Sequence, residues 1–353
     1  MELIFLREQD LYVLDHAYAT DDYEIVFDAL VPQKSKFVIN KTKLKAEIGD
    51  LLVTRQNNYF YVGVITSLKE TDKNTINLEA MDYLSIFDVE VPLPTSFNGN
   101  IANFIIARIN ETFKTSGDAY QNISYLQLES EVNVQASLSY EADTKANLLD
   151  LVEEFSKTYG IRLSYELVIT NGSFSNIKVK VVATKRGVNL RYNLSTITNL
   201  EIKDTNENSL NKIVFVPKSD NSSYRSRVTY YLYTDGTIST VNNLDRRNKK
   251  VRFKYDYYTD NDYPSLLTKA TKELIDSSLK HSITFDFAFI ANKVEFLDDL
   301  SVGTFVQFIS KEKVYDTLIS KVVYKGTLNK ASITLGEYRV TLTDKLKLLD
   351  RRK

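Results

Sequence analysis

The sequence has no cysteine and no tryptophan, and only 11 glycines, 5 prolines and 2 histidines among 353 residues. Without cysteine there is no disulfide, no thiolate nucleophile and no cysteine-ligated zinc. The two histidines, His16 and His281, stand 265 residues apart, so they form neither an HExxH nor an HxxxH pair, and a zinc site would need mostly carboxylates. They read as surface or junction residues. There is no G-x-S-x-G elbow, no phosphate loop and no dinucleotide glycine fingerprint. The low glycine and proline content, with 43% apolar residues, argues against disorder. No run approaches the ~20 apolar residues of a membrane span. The start, MELIFLREQDLYVLDH, has acidic residues within and after a short apolar stretch, unlike a signal peptide. The chain is therefore expected to fold in the cytoplasm, with no membrane insertion. Forty-five basic residues against 46 acidic ones leave a formal charge of -1, so partners must be chosen by shape rather than by a global field.

What is abundant is tyrosine, at 23, and phenylalanine, at 18. Both are enriched in strands, which points to a sheet-rich protein; a stacking surface for bases or sugars is the alternative use of the same rings. At about 150 residues per domain, two or more domains are expected.

Residues 1–95 read as a first β-barrel domain, with Asn57-Asn58 and Asp72-Lys73-Asn74 as hairpin punctuation. VPLPTSFNGN, Val91 to Asn100, breaks the pattern. Residues 96–189 read as an α+β insertion. Ile101, Phe104, Ile105, Ile109 and Phe113 fall at helical spacing with Gly117 as a stop, and Leu148, Leu151, Val152, Phe155 and Tyr159 line a second helix closed by Gly160. The strand that follows alternates through Ile161, Leu163, Tyr165, Leu167 and Ile169 to a turn at Asn171-Gly172. Residues 190–224 and 283–353 read as a second β-barrel domain, with Phe285, Phe287 and Phe289 alternating. Between them, 225–282 reads as a small strand-strand-helix domain. It has a hairpin at Asp235-Gly236 and a helix opened by Pro264 that buries Leu267, Ala270 and Leu274. The fold class expected is mainly β with α+β insertions: two tube-like β-barrel domains plus two smaller α+β domains.

The chain also resembles itself. At an offset of 254 residues, Gly49 falls on Gly303, Tyr61 on Tyr315, Ile65 on Ile319 and Leu68 on Val322; a three-residue insertion then places Ile76-Asn77-Leu78 on Ile333-Thr334-Leu335. Two equivalent barrels per chain would give three copies a pseudo-six-fold ring, able to meet a hexameric partner.

The titratable clusters suggest little chemistry. Glu153-Glu154 and Asp298-Asp299 are adjacent pairs whose side chains point apart, although a glycosidase needs only two carboxyls about 5 to 10 Å apart. Asp256, Asp260 and Asp262 lack the glycine and terminal glutamate of a calcium loop and read as a capping turn. Arg246-Arg247-Asn248-Lys249-Lys250 reads as a solvated hairpin tip, with phosphate contact as the alternative. Six N-x-[ST] matches, Asn171-Gly172-Ser173 among them, carry no weight without a secretory signal. No catalytic, cofactor-binding or metal residue is assigned.

Three stretches carry a family resemblance: Leu148 to Tyr165 (LLDLVEEFSKTYGIRLSY), Val228 to Thr240 around Tyr-Thr-Asp-Gly, and the closing ITLG with LTDKLK. In this order of elements the chain resembles the baseplate hub proteins of tailed bacteriophages, in particular prophage tail proteins equivalent to the amino-terminal region of tail-associated lysins. The resemblance implies a homotrimer at the virion tail tip, assembled in the host bacterial cytoplasm. It would dock on a hexameric distal tail or tail tube protein and surround a channel through which phage DNA passes as cargo. Tape-measure and receptor-binding tip proteins are further candidate partners. It implies no cofactor and no catalytic residue, and the lytic activity of some relatives is not carried over. The alternatives are a carboxylate-dependent cell-wall glycan hydrolase and a host-glycan-binding module. The terminus from Ile333 to Lys353 reads as a closing strand followed by a strand-to-helix connection point.

Overall fold

A computed structural model describes residues 1–29, 32–41, 43–56, 59–71, 74–204, 210–218, 227–233, 237–243, 253–259, 263, 265–278, 281–288, 300–311, 313–326 and 330–336. The chain divides into two compact units, Met1–Leu200 with Thr284–Leu335, and Glu201–Ile283 with Gly336–Lys353.

The first unit begins with β1 (Glu2–Leu6), β2 (Val13–Asp28), β3 (Lys34–Asn40), β4 (Leu51–Gln56), β5 (Tyr59–Glu70) and β6 (Thr75–Asp82). Their order, β1-β4-β5-β6-β3-β2 with β2 paired back to β1, closes a six-stranded barrel. Alternation drives it: Ser35, Phe37 and Ile39 of β3 and Ile76, Leu78 and Ala80 of β6 are buried, while their neighbours face out. Tyr61 is fully buried and its hydroxyl donates to the Ala80 carbonyl at 3.1 Å. Gly63 makes room for it, since a Cβ there would lie 2.7 Å from that hydroxyl. Asn57-Asn58 and Asp72-Lys73 lie outside the described residues, but the flanking pairs Gln56↔Tyr59 and Glu70↔Ile76 are antiparallel, as the hairpin reading requires.

The chain continues through β7 (Glu90–Pro92), β8 (Ser96–Asn100), α1 (Ile101–Phe113), β9 (Leu126–Ser130), β10 (Gln135–Ser139), β11 (Lys145–Asn147), α2 (Leu148–Tyr159), β12 (Ile161–Thr170) and β13 (Ser173–Ala183). β7 pairs β11, β8 pairs β10, and β12-β13-β9 form a sheet. α1 buries the five apolar residues expected of it and is capped by Asn100, whose side-chain oxygen accepts from the Ala102 amide. It ends at Phe113 with Lys114 as its cap, so Gly117 is not the stop. α2 does end as expected: Gly160 takes the left-handed conformation, φ 63°, that lets its amide reach the Ser156 carbonyl. Ile169 departs from the alternation and is exposed near the hairpin end of β12, where Ser175 of β13 bulges opposite Val168 and Ile169. The helices and this sheet share one apolar core with the barrel, in which Leu6, Leu51, Val53 and Val62 meet Phe104, Ile105, Leu148 and Phe155.

β14 (Arg186–Arg191) and β15 (Ile197–Asp204) lead to the second unit, which holds β16 (Lys212–Pro217), β17 (Val228–Leu232), β18 (Ile238–Ser239), β19 (Phe253–Tyr258) and α3 (Leu266–Ser278). The sheet β18-β17-β16-β19 packs Ile213, Phe215, Leu232 and Tyr258 against the helix. The buried helical stripe is Leu266, Ala270 and Leu274, evenly four apart; Leu267, expected there, is 51% exposed. Asp235-Gly236 and Pro264 lie outside the described residues, though β17 and β18 do pair antiparallel.

β20 (His281–Ala288), β21 (Phe305–Ser310), β22 (Lys313–Lys325) and β23 (Lys330–Gly336) complete a second sheet of order β14-β21-β22-β23-β20-β15. Phe285 and Phe287 are buried as expected; Phe289 and residues 337–353, including the expected connection point, lie outside the described residues.

The self-resemblance is a repeat of register as well as of residues. Leu51↔Val64 through Gln56↔Tyr59 recurs as Phe305↔Leu318 through Ser310↔Lys313, each residue 254 positions on. The Gly49 amide donates to the Ile65 carbonyl at 2.9 Å, and the Gly303 amide to Ile319 at 2.8 Å; both glycines have positive φ, 102° and 79°. β5 and β22 are bulged at the same place, after Ile65 and after Ile319. The bulge hydroxyls of Thr66 and Ser320 cap Glu79 and Thr334 carbonyls in turn. Beyond the bulge, Leu68↔Leu78 recurs as Val322↔Ile333, so Leu78 corresponds to Ile333 and the insertion is one residue, not three. One strand differs: β1 runs antiparallel to β4, whereas β14 runs parallel to β21.

Candidate functional site

Among the described residues, the sequence candidates do not converge. His16 lies exposed on β2, its Nδ1 3.5 Å from Glu2, and His281 opens β20 in the other unit. Glu153 and Glu154 are neighbours on the outer part of α2, about 100° apart around its axis. Asp256 accepts from the Tyr257 amide at 2.8 Å. Asp260, Asp262, Asp298, Asp299 and the basic run Arg246 to Lys250 lie outside the described residues. Asn171 and Gly172 form the expected hairpin turn, with φ 52° and 79°. Among the described residues, no group of three or more His, Asp and Glu is placed to hold a metal ion. Among them, no helix is long and apolar enough to cross a membrane.

The structure assembles an internal strand interface that joins the two repeats. β2 is 16 residues long and serves twice: its first part pairs β1 to close the barrel, and Glu24 to Asp28 pair Lys325 to Lys321 of β22. The ladder is apolar at its centre, where Ile25, Val26, Val322, Val323 and Tyr324 are buried. Phe27 stands edge-on to Tyr61 at 5.7 Å and to Tyr324 at 5.9 Å, one ring from each repeat. Each of these side chains contributes about 1.5–3 kcal/mol by leaving water, far more than the exposed 3.9 Å pair Lys325–Glu24 at the ladder's end. Gly326 closes the ladder: its amide donates to Tyr23 and its carbonyl accepts from the Tyr23 hydroxyl, both at 3.1 Å.

A second junction, which the sequence did not disclose, fixes the insertion to the barrel. Asp82 ends β6, is buried, and accepts from the Leu84 amide and the Tyr165 hydroxyl, each at 3.0 Å. The Tyr165 oxygen also accepts from the Val62 amide at 3.3 Å. Burial pushes the Asp82 carboxyl up to about 6, against the opposing pull of those two hydrogen bonds, and burial likewise raises the Tyr165 phenol well above its ordinary range. Asp286 on β20 is held low by the Ser332 hydroxyl and the Asn199 amide. Both carboxylates tie one strand of the fold to another.

No protein-family model matches the sequence, and no curated protein sequence is similar enough to count as a relative. The fold does match solved structures over nearly the whole chain. The tail protein from Neisseria meningitidis MC58 superposes with a TM-score of 0.58 at 14% identity, covering 97% of this chain and 98% of that one. The prophage tail protein gp18 from Listeria monocytogenes EGD-e gives 0.58 at 14% identity, with 99% of each chain covered. A chain of the phage P2 baseplate in its activated conformation gives 0.55 at 14% identity, covering 95% and 98%. The chain has the fold of phage tail and baseplate proteins.

Proposed function

We propose that the chain is a structural component of a phage-type tail tip, a hub in which three copies form a ring of six repeats around the path of the DNA. The observation that carries this reading is the repeated register, which gives one chain two equivalent modules that a closed ring can alternate. Full-length fold matches to proteins titled tail protein, prophage tail protein and baseplate support it. On this reading the ring meets a hexameric distal tail or tube protein, with tape-measure and tip proteins as further partners, and it works by symmetry matching rather than by catalysis. Its domains are residues 1–95, 96–189, 190–224 with 283–353, and 225–282. Gold-labelled antibody against the chain, applied to tailed particles from the source organism, is expected at the distal end of the tail. Label along the tail shaft, on the head, or on no particle at all would count against the proposal.

A glycan-binding module is the second reading, and one observation favours it. Phe253, Tyr255 and Tyr257, at alternating positions on β19, are 47%, 54% and 56% exposed on one face of the small sheet. Binding of the isolated chain to host cells, lost on replacing these rings, would support it over the hub.

A further inference from the structure

The two repeats are alike in register but not in what covers them. β22 beyond its bulge has β23 on one edge and β2 on the other, and Val322, Val323 and Tyr324 are buried there. The matching stretch of β5, Ser67 to Glu70, has β6 on one edge and, among the described residues, no strand on the other. Leu68 is half-buried, and Lys69 and Glu70 are exposed. An open edge offers a row of backbone donors and acceptors to another strand.

The repeat also says which strand fits that edge. β2 is the neighbour of β3 in the first barrel, and its counterpart by sheet order is β15, the neighbour of β20. β15 ends the second sheet, so among the described residues one of its edges is open as well. Its sequence Leu200-Glu201-Ile202-Lys203 places Leu200 and Ile202 on one face and Glu201 and Lys203 on the other.

We infer that the open edge of β5 at Ser67 to Glu70 pairs antiparallel with β15 of a second copy, repeating between chains the ladder that β2 and β22 make within one. The inference rests on the three-copy reading and adds the surface that closes it. The contact is heterologous, because β5 of each chain meets β15 of the next, and three such contacts alternating with three internal ladders close a ring of six modules. Lys69 and Glu70 occupy places that are Val323 and Tyr324 in the internal ladder, which suits an edge exposed until assembly.

The absence of native cysteine makes the test clean. Lys69→Cys is combined in turn with Leu200→Cys, Glu201→Cys, Ile202→Cys and Lys203→Cys, so that every register near the inferred one is sampled. The proteins are oxidised, run with and without reductant, and weighed by light scattering before oxidation. At least one pair is expected to yield covalently linked chains up to three, reversed by reductant, with the Lys69→Cys single variant giving no linked trimer. Copies of trimeric mass that no pair cross-links would overturn the strand assignment and leave the hub reading standing. In that event Lys69 and Glu70 serve only as charges guarding an edge. A monomeric mass for the unmodified protein would overturn both.

Discussion

The Tyr165 hydroxyl donates to the buried Asp82 carboxylate at 3.0 Å, tying a strand of the insertion to the last strand of the first barrel. Since burial raises the Asp82 carboxyl to about 6 from an ordinary 3.8, the folded state holds that proton more tightly than the unfolded chain does. The stabilisation it supplies is complete below pH 3.8 and is lost as pH rises through about 6. Asp82→Asn removes the ionisation and keeps an acceptor for Leu84. Between pH 4 and 6 the wild type is expected to gain on the variant as pH falls, by up to about 1.4 kcal/mol per pH unit. Denaturant titrations at several pH values check this; parallel pH profiles would contradict it.

Tyr165→Phe removes the donor to Asp82 and the acceptor for the Val62 amide while leaving the ring packed against Tyr83 at 5.9 Å. A loss of about 1–3 kcal/mol is expected from the unmatched buried groups. The pH midpoint assigned to Asp82 should also move up, because that hydrogen bond favours the carboxylate. Unchanged stability and an unchanged midpoint would remove the junction from the account.

Gly326→Ala and Gly49→Ala separate close approach from backbone strain. A Cβ on Gly326 would run into the Asp21 carbonyl oxygen across the internal ladder, whereas one on Gly49 meets nothing within 4 Å. The first is expected to cost about 2–4 kcal/mol and the second about 1 kcal/mol, from positive φ alone. Equal costs, read by thermal or denaturant unfolding, would contradict the tight ladder end.

The Asn147 side-chain oxygen accepts from the Leu149 and Asp150 amides at the start of α2. Asn147→Ala is expected to cost about 0.5–2 kcal/mol with no change in assembly mass. An altered mass at retained stability would place this helix end in an interface.

Some of this was legible in the residues. Gly49 and Gly303, Tyr61 and Tyr315, and Gly160 at the end of α2 mark positions where the backbone or a large ring demands one residue type, so the repeat and the helix end could be read directly. The step from Ile76 to Leu78 could not be placed, because a strand slipped by two residues keeps every side chain on the same face. The stripe of α3 was missed by one position because Leu266 and Leu267 are equally apolar, and the neighbouring sheet decides which is buried. Nothing in the sequence could pair Asp82 with Tyr165, 83 residues away, since burial rather than local pattern makes that contact matter. The double use of β2 was hidden for the same reason: strand alternation reports faces, and the successive stretches of β2 that pair β1 and β22 carry no such signature.

The most direct test of the central claim is the mass of the purified chain by light scattering, taken with class-averaged images down any symmetry axis. The account predicts three times the 40.5 kDa chain and a ring showing six similar modules. A stable monomer or dimer at high concentration, without a ring, would contradict it.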